Sequence, residues 1–293
     1  MRAFRVILAL AVLAVFAAPA PLHAAAGKTY QVTGPVLAVD ATTISEPGST
    51  GTEWRIHYAI NLCSLQGDFF LLTEVSGGET WRRFPVEAGD IMLGDRGYAN
   101  PQGVRHVRQA GGEVVVRLNR QALPLCHERG KALDAVQQAR GLKALESGEW
   151  AAWVKNDSEG RIPGRLLAVR RSQAAAEEAR RRLERQASRK QVKVSEKSLE
   201  AAEYFFLWTS LPSSWVRHEV LGLYRSRWQI ELAFKRMKSL MGLGPLPKKD
   251  PDSCRAWLHG KLFTRLLVEA LIGAARTLSP WGYELGRPQE QGA

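Results

Sequence analysis

Tyr224-Arg-Ser-Arg227-Trp-Gln-Ile-Glu231-Leu-Ala-Phe-Lys-Arg-Met-Lys238 sets four polar residues at i, i+3, i+7 and i+14. At ~100° per residue of α-helix these four fall within about 60° of one another. One helix face would then carry a phenol, a guanidinium, a carboxylate and an ammonium. Trp228, Ile230, Leu232, Phe234 and Met237 lie mostly elsewhere around the axis and are expected to pack the helix. A carboxylate among cations suits a site that holds a divalent metal beside an anionic substrate. It suits equally a solvated helix with an Arg227 to Glu231 pair at i, i+4, an arrangement of little energetic consequence.

Two other segments weigh against the solvated surface. Val36-Leu-Ala-Val-Asp40-Ala-Thr-Thr reads as a buried strand of small and β-branched residues that ends in an acid. Ile91-Met-Leu-Gly-Asp95-Arg-Gly-Tyr98 repeats the arrangement. An acid at the end of a buried strand is costly unless something pairs with it. For two such acids in one chain, a shared cation is the simplest partner.

With these residues in place the chain resembles the DDE transposases of bacterial insertion sequences, in their insertion-sequence-four branch. The Tyr-x2-Arg-x3-Glu-x6-Lys signature of that branch is matched without gaps by Tyr224, Arg227, Glu231 and Lys238, and the segments around Asp40 and Asp95 support it. Together they cover roughly residues 33 to 275. The resemblance implies a ribonuclease-H-like fold with Asp40, Asp95 and Glu231 as catalytic, metal-holding carboxylates. It implies two Mg2+ ions, with Mn2+ as substitute, and phosphate contacts from Tyr224, Arg227 and Lys238. The partners implied are double-stranded DNA, as insertion-sequence ends and target, and a second copy of the chain in a synaptic homodimer. The place of action would be the cytoplasm, on DNA.

Composition agrees. A formal net charge of +12 over 293 residues and a pI near 9.9 point to a polyanionic partner, nucleic acid or an anionic membrane. Cys63, Cys126 and Cys254 are odd in number and widely spaced, which offers neither a disulfide framework nor a zinc site. They read as ordinary thiols.

Strand-like segments recur near Val36 to Asp40, Arg55 to Leu62, Phe69 to Thr73, Ile91 to Gly94 and Val114 to Leu118, with a helix expected over Gln102 to Gln109. This order predicts an α/β fold, a mixed sheet flanked by helices. The expected division is 31–118 as the first part of the catalytic core, 119–203 as an insertion domain and 204–280 as the second part with the Glu231 helix, leaving a tail at 281–293. Between Arg161 and Lys197 twelve basic residues face four acids, with an Ala-rich helix from Ala174 to Gln186. That helix reads either as a solvated face laced by Glu177 to Arg181 and Glu178 to Arg182 pairs or as a surface that tracks phosphates. Trp208 and Trp215 are candidates for stacking on an unpaired base, with core packing the simpler role. Cys254 to Leu278 is expected to form an amphipathic helix with Trp257, Leu262, Leu266 and Leu271 in the core.

Residues 1–30 hold an apolar run from Val6 to Ala18 and resemble a secretory leader, too short for a stable membrane anchor. Three readings stand: an export signal, an upstream start codon misread, or the last helix of a shortened domain. Only 39 residues precede Asp40, fewer than in the resembled family, so a copy truncated at its N-terminus is expected. Two other classes of function remain open, a DNA-binding but inert remnant and a secreted cationic protein.

Overall fold

Runs of small and β-branched residues form the strands that the patterning predicts, in a computed structural model that describes residues 34–45, 54–74, 78–155, 160–244, 246–247 and 250–277. Five strands come first: β1 (Val36–Ile44), β2 (Trp54–Asn61), β3 (Gly67–Glu74), β4 (Ile91–Gly94) and β5 (Glu113–Arg117). Then follow β6 (Leu125–Cys126), β7 (Ser147–Ala151), β8 (Trp153–Val154), β9 (Arg165–Arg170) and β10 (Tyr204–Thr209). Eight of them make one mixed sheet in the order β3-β2-β1-β4-β5-β10-β9-β7, and β6 pairs with β8. β1, β4 and β5 run parallel at its centre, with Val36 opposite Ile91 and Ala38 opposite Leu93. Their residues Val36 to Val39 and Ile91 to Gly94 are all buried, as continuous apolar runs in parallel strands should be. The strand order is consistent with a ribonuclease-H-like core.

The helices are α1 (Pro101–Gln109), α2 (Ala135–Ala139), α3 (Gln173–Arg189), α4 (Glu196–Ala201), α5 (Arg217–Arg225), α6 (Trp228–Leu240) and α7 (Pro251–Thr277). Asn100 caps α1 by accepting from Gly103 N at 2.7 Å, and Pro101 sits where a missing N–H costs nothing. β7 and β9, which lie within residues 119–203, extend the main sheet through β10. The hydrophobic core is likewise shared, joining Leu37 and Met92 to Leu123, Val136, Leu166 and Trp208.

By internal contacts the chain divides into two units, one of Val32–Thr43 with Thr52–Phe234, the other of Met1–Gln31, Ile44–Gly51 and Lys235–Ala293. The first contains nearly all of the main sheet. In the second, α7 buries Cys254, Leu258, Leu262 and Arg265, spaced at i, i+4, i+8 and i+11. The expected core contacts Leu266 and Leu271 are instead exposed, as are Phe263 and Leu267. α7 has more apolar residues than one stripe can hold, and sequence alone cannot say which stripe is covered. Trp257 is half-buried, with the Lys261 ammonium 5.1 Å from its ring centroid. The three cysteines are free, and no described helix is long and apolar enough to cross a membrane. The leader and the tail lie outside the described residues.

One buried group in the sheet makes stability pH-dependent. His57 on β2 is fully buried, hydrogen-bonds Thr73 Oγ1 at 3.0 Å, and is pushed down to about 4 by burial and then by Arg83 and Arg55. The unfolded chain binds this proton more readily, so His57 favours the fold above its ordinary value of 6.5 and ceases to do so as pH falls toward 4. Denaturant titrations should show a loss of about 3 kcal/mol across that window that His57→Gln removes. An identical pH slope in the variant would refute this.

Candidate active site

Asp40 and Asp95 come together because β1 and β4 are parallel neighbours and the register that sets Ala38 opposite Leu93 brings positions 40 and 95 level. Asp40 stands within β1 rather than at its end, because the strand runs on through Ala41, Thr42 and Thr43 to Ile44. Its Oδ1 accepts the Ala41 N–H at 2.8 Å. Asp95 caps the 3-10 turn Arg96–Tyr98 by accepting from Gly97 N at 2.7 Å, which fixes its carboxylate just past the strand. Burial, with further repulsion from Asp95 and Glu79, pushes the Asp40 carboxyl up to about 6 against the pull of Arg227 and the Ala41 bond. A carboxylate so placed holds its charge at a cost that a cation would relieve.

The signature residues occupy two helices, not one. α5 ends at Arg225, Ser226 and Arg227 form a turn, and α6 begins at Trp228. Ser226 is the cause: its Oγ donates to Leu223 O at 2.5 Å, and the chain passes through three-residue bonds, Arg227 N to Tyr224 O and Ile230 N to Arg227 O, both at 3.1 Å. Tyr224, the last buried residue of α5, packs 5.6 Å from the Phe205 ring. Burial pushes its phenol up to about 12, so the hydroxyl stays a neutral donor. Ile230, Ala233, Phe234 and Met237 form the buried face of α6, whereas Trp228, expected to pack, is 48% exposed at its start. Lys238 lies in the last turn of α6, within the second contact unit.

Arg227 links the acids. Its Nη1 lies 3.4 Å from Asp40 Oδ2 and its Nη2 2.5 Å from Glu231 Oε1. Burial opposes its charge, yet Tyr224, Asp40 and Glu231 hold the guanidinium above its ordinary value. Asp40, Arg227 and Glu231 thus form one chain, with Asp95 beside Asp40. Among the described residues no three His, Cys, Asp or Glu side chains converge closely enough to hold a metal ion. The guanidinium lies between two of the carboxylates and supplies the positive charge they need. The donor chemistry, three carboxylates with Asp40 strained toward protonation, suits a hard divalent cation once Arg227 is drawn away.

The approach to α5 is held by Arg165 of β9. It donates to the carbonyls of Leu211, Pro212 and Trp215 at 3.0 to 3.1 Å and to Glu149 Oε1 at 2.5 Å. Other arginines of the basic segment are also engaged, Arg170 with Glu203 and Leu142 O, Arg180 with Glu203, and Arg185 with Glu178. Arg182 pairs with Glu178 at 3.7 Å, and both line a cleft of about 750 Å³ together with Arg96, Arg117, Arg120 and Arg171 and with Ala175, Ala179 and Gln186 of α3. The Arg117 and Arg171 guanidinia lie 5.5 and 5.9 Å from the Phe205 ring centroid. Burial and then mutual repulsion lower the Arg171 value, with Arg117 and Arg182 as the repelling charges. Among the described residues neither Arg117 nor Arg171 has a carboxylate partner.

Sequence patterning did not single out Arg117, and it took in Arg171 only as part of the basic segment Arg161 to Lys197. Arg117 ends a legible strand, but nothing local tells a lone arginine in a cleft from one in solvent. Trp208, weighed for stacking, is fully buried in β10.

Residues 32–267 match the family described as the transposase DDE domain. The putative transposase InsL for insertion sequence element IS186A of Escherichia coli K12 is 33% identical over 248 residues, which cover 83% of this chain and 67% of that protein. The same figures hold for the transposase of insertion sequence element IS421 of Escherichia coli. The transposase of insertion sequence element IS231F of Bacillus thuringiensis subsp. israelensis is 24% identical over 252 residues, covering 78% of this chain and 52% of that one.

Proposed function

The chain belongs to the transposase DDE domain family, and from that premise we propose that Asp40, Asp95 and Glu231 are the carboxylates with which it cuts and joins DNA strands. It is a transposase, a nuclease and strand transferase of DNA transposition. We place it in the insertion-sequence-four branch on the gapless spacing of Tyr224, Arg227, Glu231 and Lys238. The observation that carries the reading is the chain of Asp40, Arg227 and Glu231 beside Asp95, drawn from three elements far apart in sequence.

Two Mg2+ ions, or Mn2+, are the cations this acid set would hold; when bound they lower the pKa of an attacking water or 3′ hydroxyl and stabilise the leaving oxygen. Arg227 then has a second use, because a fork of N–H donors suits a phosphodiester as well as a carboxylate. Tyr224 offers a neutral hydroxyl beside it, and Lys238 would supply an ammonium for a DNA phosphate. Residues 119–203 would serve as the insertion that carries DNA away from the acids along the cleft of Arg117, Arg171 and Arg182. Synapsis of two ends in a homodimer completes the reading, with the exposed Phe263, Leu266, Leu267 and Leu271 of α7 as apolar surface available to a second copy. The place of action would be the cytoplasm, on DNA.

The test is incubation of the purified chain with labelled insertion-sequence-end DNA and Mg2+ or Mn2+. Metal-dependent strand cleavage is expected, and binding without cleavage would assign the chain as an inert remnant. The cleft is tested by salt. Neutralising a phosphate releases counterions, so Arg117→Ala with Arg171→Ala should weaken binding and flatten log K against log[salt] by roughly two units of slope. An unchanged slope would remove the cleft from the DNA path.

A further inference from the structure

We infer that Arg117 and Arg171 form a discrete site for one phosphate group of the DNA strand, beside the acids, and that Arg117 thereby sets which phosphodiester meets them. The inference rests on the proposed function and deepens it, from a basic cleft to a single anion site with a fixed register to the acids.

Strand register lays the acids and the arginines in one row. Ala38 is opposite Leu93 and Gly94 is opposite Val116, so Asp40, Asp95 and Arg117 stand level on the parallel strands β1, β4 and β5. Arg117 in turn faces Leu207 of β10, and Phe205 faces Val169 of β9. Side chains two apart on a strand share a face, which carries the row on from Arg117 to Phe205 and then to Arg171. The ladder reaches that far, because Arg171 N donates to Glu203 O at 2.8 Å. Contacts agree with the row: both guanidinia lie against the Phe205 ring, and the Tyr224 ring is 5.6 Å from it. The step from β4 to β5 is roughly 5 Å, comparable with the ~3.4 Å rise of one nucleotide along a strand. A strand with one phosphate at the acids thus presents the next to the arginines.

Two guanidinia against one ring need a reason. Neither makes a side-chain hydrogen bond or ion pair with any described residue, unlike Arg165, Arg170 and Arg180, which are tied to glutamates. The Arg171 Nε is buried and has no hydrogen-bond partner. A buried donor without an acceptor is rare. Burial lowers both guanidinium values, and Arg117 is among the charges that repel Arg171. An oxyanion between the two relieves that repulsion and fills both forks of donors, for which a phosphate has the matching geometry. The shared ring keeps the pair close enough for one phosphate to bridge them.

Calorimetric titration of the purified full chain with inorganic phosphate, without DNA or metal and at constant ionic strength, reads the site directly. One phosphate per chain is expected. Arg117→Ala and Arg171→Ala should each weaken it about tenfold or more, with an unchanged circular dichroism spectrum. Arg117→Lys, which keeps the charge and loses the fork, should fall between. Arg129→Ala, at an exposed position in the turn after β6, should bind as the parent chain does. Mapping the cut in labelled insertion-sequence-end DNA, at saturating DNA and with Mg2+, reads the register. The parent should cut one bond, whereas Arg117→Ala should spread cuts over neighbouring bonds and slow single-turnover cleavage by about tenfold to a hundredfold. If the parent cuts DNA but binds no phosphate, or if Arg117→Ala still cuts only the parental bond, the inference falls and the proposed function stands. If phosphate binds through the pair and the parent cuts no DNA, the proposed function falls and takes the register with it, while the anion site stands.

Discussion

Asp95→Asn should abolish strand cleavage, lowering its rate by about three orders of magnitude or more, while DNA affinity stays within a few-fold of the parent. Asparagine keeps the oxygen that accepts the Gly97 N–H, so the turn Arg96–Tyr98 and the 3-10 cap survive and only the charge is lost. Removing one carboxylate from a set that must offset dipositive ions is expected to forfeit about 4 kcal/mol of transition-state stabilisation, which is roughly a thousandfold in rate. In the proposed reading DNA is held by the arginines of the cleft, so loss of a nearby negative charge is not expected to weaken binding. Cleavage and gel-shift measurements at one salt concentration separate the two effects. Cleavage within tenfold of the parent would remove Asp95 from the acid set; simultaneous loss of binding would indicate damage to the fold.

Asp40→Asn should be equally inactive and also more stable. The Asp40 carboxyl is raised to about 6 in the fold from an ordinary 3.8, so its contribution to stability is full below the lower value and is lost as pH rises through the upper one. At pH 7 the buried charge is a standing cost, and asparagine removes part of it. A dead enzyme with a higher melting temperature than its parent is the mark of a site selected for chemistry over stability.

Legibility in the sequence followed the range of the interactions. β1, β4 and α3 were legible because each is written in a local pattern: buried apolar runs before Asp40 and Asp95, and an Ala-rich stretch bounded by Ser172, whose hydroxyl accepts from Ala175 N at 3.4 Å. The pairing of β7 with β9 and of β9 with β10 was not, because strand partners many residues apart leave no periodic trace. The break between α5 and α6 turns on a single serine bond, which a 100° periodicity passes over. Among the site residues, Tyr224, Arg227, Glu231 and Lys238 were visible as a spacing, but the Arg227 bridge to Asp40 joins residues 187 positions apart and exists only in the fold.

Trp208→Ala should destabilise the chain by about 3 to 5 kcal/mol in denaturant unfolding, the range for a large aromatic removed from a packed interior. Trp208 is fully buried at the middle of the sheet, level with Val116 of β5 on one side and Leu166 of β9 on the other. Its indole N–H donates to Ala152 O at 3.0 Å. Gly164 lies so close that a methyl group there would overlap the indole and come within 2.6 Å of Thr209 O, which leaves neighbouring atoms little room to collapse into the space. Trp208→Phe restores much of the area but leaves the Ala152 carbonyl without its donor, and an intermediate loss of about 1 to 3 kcal/mol is expected. Phe205 lies on the same strand, three residues earlier, between Tyr224 and the cleft arginines. Loosening β10 should therefore disturb DNA binding only through the fold, and osmolytes that restore folding should restore it. A tryptophan that stacked on an unpaired base would behave in the opposite way. A variant of nearly unchanged stability with strongly weakened DNA binding would overturn the assignment of Trp208 to the core.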